Sequence, residues 1–277
     1  PLLAYTVLNL YLVSSWSTWW YANSFSQRPM VPALATMVIP LGCFLQYMLQ
    51  QKTLLKVSLS VVIVFFVFLN VFQIWQFHVG IIDGERMTKE YYRKIFLKTS
   101  ADPEDKKLLL IDRWYCEEMG FYNEQEYVGK QLKTEGFENG GIIDSIAPAK
   151  GSRYCILDSS CIYSQAIEMP YADITNNDHA WLRVRVRVFP ITAPDSMKFA
   201  LVLHFTHNGL PYQYKTLESP ALMLKQNEWN EIRLDYLTPE VRHTSDVFKT
   251  YVWNMSGGIM LVDELSLEAF EEKNQTR

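Results

Sequence analysis

The chain has 277 residues, 26 basic against 30 acidic, for a formal net charge of −4. Residues 1–80 carry three basic residues (Arg28, Lys52, Lys56) and no Asp or Glu, which leaves 23 basic and 30 acidic residues, a charge of −7, for 81–277. That balance excludes the concentrated basic surface that nucleic-acid phosphates demand, so no nucleic-acid partner is expected.

In chain order, Leu2 to Val13 is apolar but too short to span a bilayer. The chain opens at Pro1 without a Met, so this run reads as the stump of a longer helix in a larger polytopic protein. Ser15 to Arg28 is a loop rich in Trp and Tyr (Trp16, Trp19, Trp20, Tyr21), the composition of a membrane interface, with Arg28 as its one charge. Arg28 can snorkel there or, through its planar fork, hold a lipid-linked phosphate. Met30 to Gln51 is uncharged over 22 residues and Val57 to Val79 over 23. Each exceeds the roughly 20 residues that cross a 30 Å hydrocarbon core. Pro32 and Pro40 inside the first span predict a kinked helix packed among others. The turn between the spans holds Lys52 and Lys56 and no acid, which predicts a cytoplasmic turn and places everything after Gly80 on the opposite side.

From Asp83 to Thr99, Met87, Tyr91, Tyr92, Ile95 and Phe96 recur at helical spacing with charges between them. Thr88 or Asp83 can cap such a helix, which would lie on the membrane surface or on the domain that follows. Residues 100–135 show no clear period. From about Phe137 the pattern becomes β, in eight segments: 153–157, 161–167, 181–189, 198–207, 212–217, 231–236, 247–253 and 259–270. The third is clearest, with Leu182, Val184, Val186 and Val188 on one side and Arg183, Arg185 and Arg187 on the other. Short strands, polar turns and no intervening helices predict an antiparallel sandwich. The expected fold is therefore transmembrane α-helices followed by an all-β antiparallel sandwich. The expected divisions are 1–80 (membrane), 81–135 (amphipathic helix and connector), 136–272 (sandwich) and 273–277 (tail).

No catalytic signature is present: no Gly-x-Ser-x-Gly, no His-Glu-x-x-His, no phosphate-cradling glycine loop. His204 and His207, three apart on a strand, must face opposite ways, which argues against a shared metal. Glu168, Asp173 and Asp178 are scattered in a loop-like stretch. Cys43 reads as a packing residue within the first span. Cys155 and Cys161 flank a plausible turn, and spacing alone leaves both the reduced pair and a disulfide open. Tyr212, Tyr214, Trp181 and Trp229 are aromatic candidates for stacking on sugar rings, or else core and edge residues.

Two resemblances add to this. Trp19-Trp-Tyr-Ala-Asn-Ser-Phe-Ser-Gln-Arg-Pro29, a Pro-bearing span, a basic turn, a second span and Gly80-Ile-Ile-Asp-Gly-Glu-Arg-Met-Thr-Lys-Glu-Tyr-Tyr92 resemble large inner-membrane proteins of Bacteroidetes-type bacteria. Those are relatives of the dolichyl-phosphate-mannose mannosyltransferases, in the C-type glycosyltransferase superfamily. The resemblance covers residues 1–95. It implies a multi-pass inner-membrane protein with its C-terminal domain periplasmic, a polyprenyl-phosphate-linked sugar as donor, and Arg28 on the donor phosphate. In that superfamily the catalytic Asp lies in the first external loop, so the resemblance places no catalytic residue in this chain. Separately, Gly136-Phe-Glu-Asn-Gly140 and Ile259-Met-Leu-Val-Asp-Glu-Leu-Ser-Leu267 are similar to the opening and closing strands of jelly-roll, galactose-binding-like carbohydrate-binding modules. This implies glycan binding and a structural calcium, with Glu138 and Asp263 as candidate ligands. The expected function is then the C-terminal membrane and extracytoplasmic part of a glycosyltransferase whose sandwich positions surface glycan. The alternative is a non-catalytic, membrane-tethered glycan- or protein-binding module.

Overall fold

A computed structural model describes residues 2–15, 25, 28–143, 145–219 and 222–273, at Arg28 by its backbone alone. The chain forms two compact units, Pro1–Asp112 and Arg113–Arg277.

The first unit contains α1 (Leu2–Ser14), α2 (Val31–Leu49), α3 (Thr53–His78) and α4 (Lys89–Ile95). Pro32 lies in the first turn of α2, where its missing N–H has no helical acceptor, whereas Pro40 interrupts the interior. Apolar side chains of α2 and α3 point outward, among them Ile39 and Val64 at 72% and 66% exposure. Water penalises such a surface and a bilayer does not, and both helices are long and apolar enough to cross a membrane. Beyond α3, Ile81 and Ile82 donate their N–H groups to the Gln76 carbonyl, and a small core forms from Ile81, Ile82, Tyr91 and Ile95. Thr88 caps α4 by accepting the Tyr91 N–H at 3.0 Å. The helix expected over 83–99 is thus confined to 89–95. Asp83 instead closes a turn by accepting the N–H groups of Glu85 and Arg86, and Leu97, at φ +57°, ends the helix.

The second unit is an antiparallel sandwich, with nine strands among its described residues: β1 (Tyr127–Glu135), β2 (Cys155–Leu157), β3 (Ile167–Pro170), β4 (Trp181–Pro190), β5 (Phe199–His207), β6 (Leu210–Glu218), β7 (Asn230–Leu237), β8 (Val247–Asn254) and β9 (Met260–Glu272). One sheet runs β1-β9-β4-β7, with β2 also on β9; the other runs β3-β8-β5-β6. The core between them holds Leu182, Val184, Val186 and Val188 of β4 against Leu201, Leu203, Phe248 and Val252 of the facing sheet. Their alternation along each strand is what dictates two apposed sheets. A bulge in β9 at Glu264 (φ +52°) lets Val262 and Leu265, three apart, both face the core.

The sandwich begins earlier than residue 136. β1 is an edge strand whose side chains are mostly exposed, so its sequence carries no apolar alternation to betray it. The helix α5 (Arg113–Met119) also belongs to this unit: Arg113 donates to the Asp178 carboxylate at 2.9 Å and to the Thr238 carbonyl. Phe121 then stacks on Trp181 and meets Phe270. The stretch expected as a strand over 161–167 makes a single bridge, Tyr163 to Trp253, before β3 begins at Ile167.

Candidate functional site

The outer face of the β3-β8-β5-β6 sheet carries a cleft of about 460 Å³ lined by Tyr163, Ser164, Ala166, Glu168, His204, Lys249 and Tyr251. This is a size in the range of small-ligand sites. Strict alternation in β8 builds its floor. Phe248, Thr250, Val252 and Asn254 point inward, which turns Lys249, Tyr251 and Trp253 outward. Their β5 neighbours in register, His204, Val202 and Ala200, lie on the same face. Val202 and Ala200 are outward yet wholly buried, so an aromatic layer covers them. Tyr163 enters from the segment before β3. It is held by hydrogen bonds from the Asn254 N–H to the Ile162 carbonyl and from the Ser164 N–H to the Val252 carbonyl. Its ring stacks on Trp253 (centroids 5.9 Å) and meets Tyr251 edge-on (5.7 Å). On the β6 side, Tyr214 stacks on His204 at 6.2 Å.

The cleft is neutral overall. Lys249 pairs with Glu168, its partner across the β3–β8 register, and lies 6.0 Å from the centre of the Tyr251 ring. Burial, and then the nearby Lys249 charge, push the His204 pKa down, so at neutral pH its ring is an uncharged donor and acceptor. Burial pushes the Tyr214 and Tyr251 phenols up, so both keep their O–H donors. Flat apolar rings beside neutral donors and acceptors suit a ligand with a C–H face and a hydroxyl rim. Acid–base cleavage of a glycosidic bond needs two carboxyl groups at a defined spacing. The described lining supplies one, Glu168, already ion-paired.

Of the aromatics singled out in the sequence, Tyr214 lies on this face, 51% exposed. Tyr212 does not, although it is two residues away. A bulge between Gln213 and Pro211 makes it the extra residue and turns it inward, where it packs on Phe205 and donates to Asp246 at 2.8 Å. Trp181 is 6% exposed beneath Phe121, so no ring face is left for a sugar. Trp229 packs on Tyr154 and Phe189 and donates its indole N–H to the Ala147 carbonyl, closing a loop. Tyr163, Tyr251, Trp253 and His204 were missed as a group. Because β8 also carries Phe248 and Val252 on its inner face, its outward aromatics do not stand out. The signal is there in Lys249-Thr-Tyr-Val-Trp253, whose aromatics sit on the side opposite Val252 and Phe248.

His204 and His207 do lie apart, as their spacing requires. His207 pairs with the buried Asp246 at 2.6 Å, and Asp246 also accepts from the N–H groups of Arg242 and His243. For calcium, Glu138 accepts from the Ser152 N–H and hydroxyl, and Asp263 accepts from the N–H groups of Lys150 and Glu264. Both carboxylates are thus engaged by backbone donors. No group of three or more His, Cys, Asp or Glu able to hold a metal occurs among the described residues. Gly140 is required beside them, since a Cβ there would lie 2.1 Å from the Tyr154 carbonyl oxygen. The four cysteines are free thiols, and burial pushes Cys155 up to about 11. The Arg28 side chain and Trp16, Trp19, Trp20 and Tyr21 lie outside the described residues.

No protein-family model matches this chain, and no curated protein matches it either. Among solved structures, the chain is similar to the CBM22-1 xylan-binding domain of Paenibacillus barcinonensis Xyn10C (12% identity, 51% of this chain and 95% of that one, TM-score 0.33). It is also similar to the CBM22-1-CBM22-2 tandem of the same protein (13%, 50% and 50%, 0.35) and to a Family 16 Carbohydrate Binding Module-2 (12%, 44% and 79%, 0.28). The strand order and register define the sandwich.

Proposed function

We propose that this chain is a membrane-tethered glycan-binding module that takes a saccharide along the outer face of the four-stranded sheet. The observation that carries this reading is the aromatic platform of Tyr163, Tyr251 and Trp253, with Tyr214 and His204 beside it, around a neutral cleft. A pyranose presents C–H groups to a ring face and hydroxyls at its rim, and the cleft offers both kinds of partner. The two apolar helices supply the tether. The lysines of the intervening turn favour an extracytoplasmic sandwich, as expected of a domain that meets surface glycan.

The test is calorimetric titration of the full chain in nanodiscs with a panel of xylo-, cello- and mannohexaose. At least one should bind, and Tyr251→Ala should weaken it at least about tenfold, or about 1.4 kcal/mol. Absence of binding across the panel, or undiminished binding by a Tyr163→Ala/Tyr251→Ala double variant, would remove the reading.

The resemblance of residues 1–95 supports a finer proposal, in which the module serves a glycosyltransferase and Arg28 holds the phosphate of a polyprenyl-linked sugar. Arg28→Lys keeps the charge but loses the fork, so it should bind that donor more weakly than the parent and better than Arg28→Ala. Equal donor binding by the alanine variant would leave Arg28 an interfacial anchor. Because no catalytic acid is assigned to this chain, the purified 277-residue chain should turn over no such donor.

A further inference from the structure

Gln76, in the last turn of α3, is 1% exposed. Its Nε2 donates to the Ile95 carbonyl at 3.0 Å and to the Lys98 carbonyl at 2.8 Å. Those carbonyls mark the ends of one turn, closed by the Lys98 N–H on the Ile95 carbonyl. One turn earlier on α3, Gln73 donates to the Tyr92 hydroxyl. Tyr91 donates its own hydroxyl to the Ile81 carbonyl at 2.8 Å. These bonds tie α4 and the turn after it to the last turns of α3, where that helix leaves its apolar stretch. The turn itself is strained. Leu97 sits at φ +57°, a left-handed backbone where glycine is the easy choice and a bulky side chain is strained. Phe96 and Leu97 are exposed at 42% and 44%, and Tyr92, one helical turn before Phe96, at 36%. Around these apolar tips stand Lys89, Arg93 and Lys94, all exposed, with no ion pair to any of them among the described residues, whereas Lys98 is paired with Asp105.

We infer that α4 and the Phe96–Leu97 turn form an interfacial lipid-docking element. Tyr92, Phe96 and Leu97 enter the headgroup–acyl boundary, and Lys89, Arg93 and Lys94 recognise anionic headgroups. The inference rests on the membrane reading of α3. Apolar tips flanked by cations match the two layers of an acidic bilayer surface. The hydrogen bonds to Gln73 and Gln76 set the depth, so the element needs no search to find its ligand. The sequence left open whether this helix faces the membrane or the following domain; its bonding to the end of the span favours the membrane.

The test uses the full chain in vesicles of phosphatidylcholine, with and without 30% phosphatidylglycerol (roughly the acidic fraction that attracts basic segments). The photoreactive residue p-benzoylphenylalanine is placed at Phe96 or, as a reference within the span, at Phe68. Mass spectrometry should find lipid adducts at both positions, with phosphatidylglycerol enriched at Phe96. A Lys89→Gln/Arg93→Gln/Lys94→Gln variant should lower that enrichment by about threefold or more. Lipid adducts at Phe68 but only protein adducts at Phe96 would overturn this inference and leave the tether intact. Absence of lipid at both positions would overturn the tether too. Enrichment unchanged in the triple variant would overturn the headgroup assignment.

Discussion

The two sheets of the sandwich share one core and differ in their outer faces. On the five-stranded sheet, every outward arginine of β4 is paired: Arg183 with Asp235 and Glu124, Arg185 with Glu268, and Arg187 with Glu264. The 113–126 segment covers one end, where the Arg183 guanidinium lies between the Phe121 and Phe270 rings at 5.0 and 4.7 Å. On the four-stranded sheet the outward aromatics stack on one another and remain open. A face whose charges are paired and whose rings are covered offers no open ring to a ligand. A face that leaves stacked rings beside uncharged polar groups is the one available to a ligand. An aromatic residue therefore means different things on the two sheets.

The comparison breaks first if the covering segment is dispensable. A chain beginning at Arg113 should unfold cooperatively. One beginning at Gly136 lacks β1, Phe121 and the Glu124 partner of Arg183, and should melt more than about 10 °C lower or without cooperativity. Equal melting temperatures would show that the segment only decorates the sheet. A smaller but sharper contrast comes from single residues. Phe121→Ala should lower stability by about 3 kcal/mol in denaturant titration and leave saccharide binding unchanged. Tyr251→Ala should do the reverse, with at most about 1 kcal/mol of stability lost. If both variants lose mainly stability, the two faces are alike.

Acid should act on the paired carboxylates. The hydrogen bond with His179, joined by the Arg113 charge, holds Asp178 below the usual carboxylate range. For Asp246, burial pulls the other way but is outweighed by the bonds from His207 and Tyr212. Carboxyls depressed in the folded state stabilise it above their unfolded pKa of about 3.9, and that stability is lost as pH falls through their folded values. The melting temperature should thus hold from neutrality to about pH 4 and drop below it, and Asp178→Asn should flatten the drop. The smallest effect lies in the core. Thr250 buries a hydroxyl with no hydrogen-bond partner among the described residues, so Thr250→Val should raise stability by up to about 1 kcal/mol in denaturant titration without touching the cleft.

Composition and period were enough to reveal the apolar spans, the change to β structure and strands such as β4. A bilayer-length uncharged run and strict apolar alternation each have only one cheap way to satisfy backbone and side chains. The spacing of His204 and His207 likewise separated them without any knowledge of their neighbours. Other features needed the tertiary structure. Only the β6 bulge separates Tyr212 from Tyr214, and a period of two cannot foresee an inserted residue. β1 is a strand because β9 offers it an edge, not because its own side chains alternate. Trp181 is covered because a segment about sixty residues earlier in the chain lays Phe121 on it. The aromatic face around the cleft joins Tyr163, His204, Tyr214 and Tyr251 from four separate stretches of chain. Alternation in the sequence sets the face each residue takes within a regular stretch of strand, but only the pairing of the strands, bulges included, decides which faces meet.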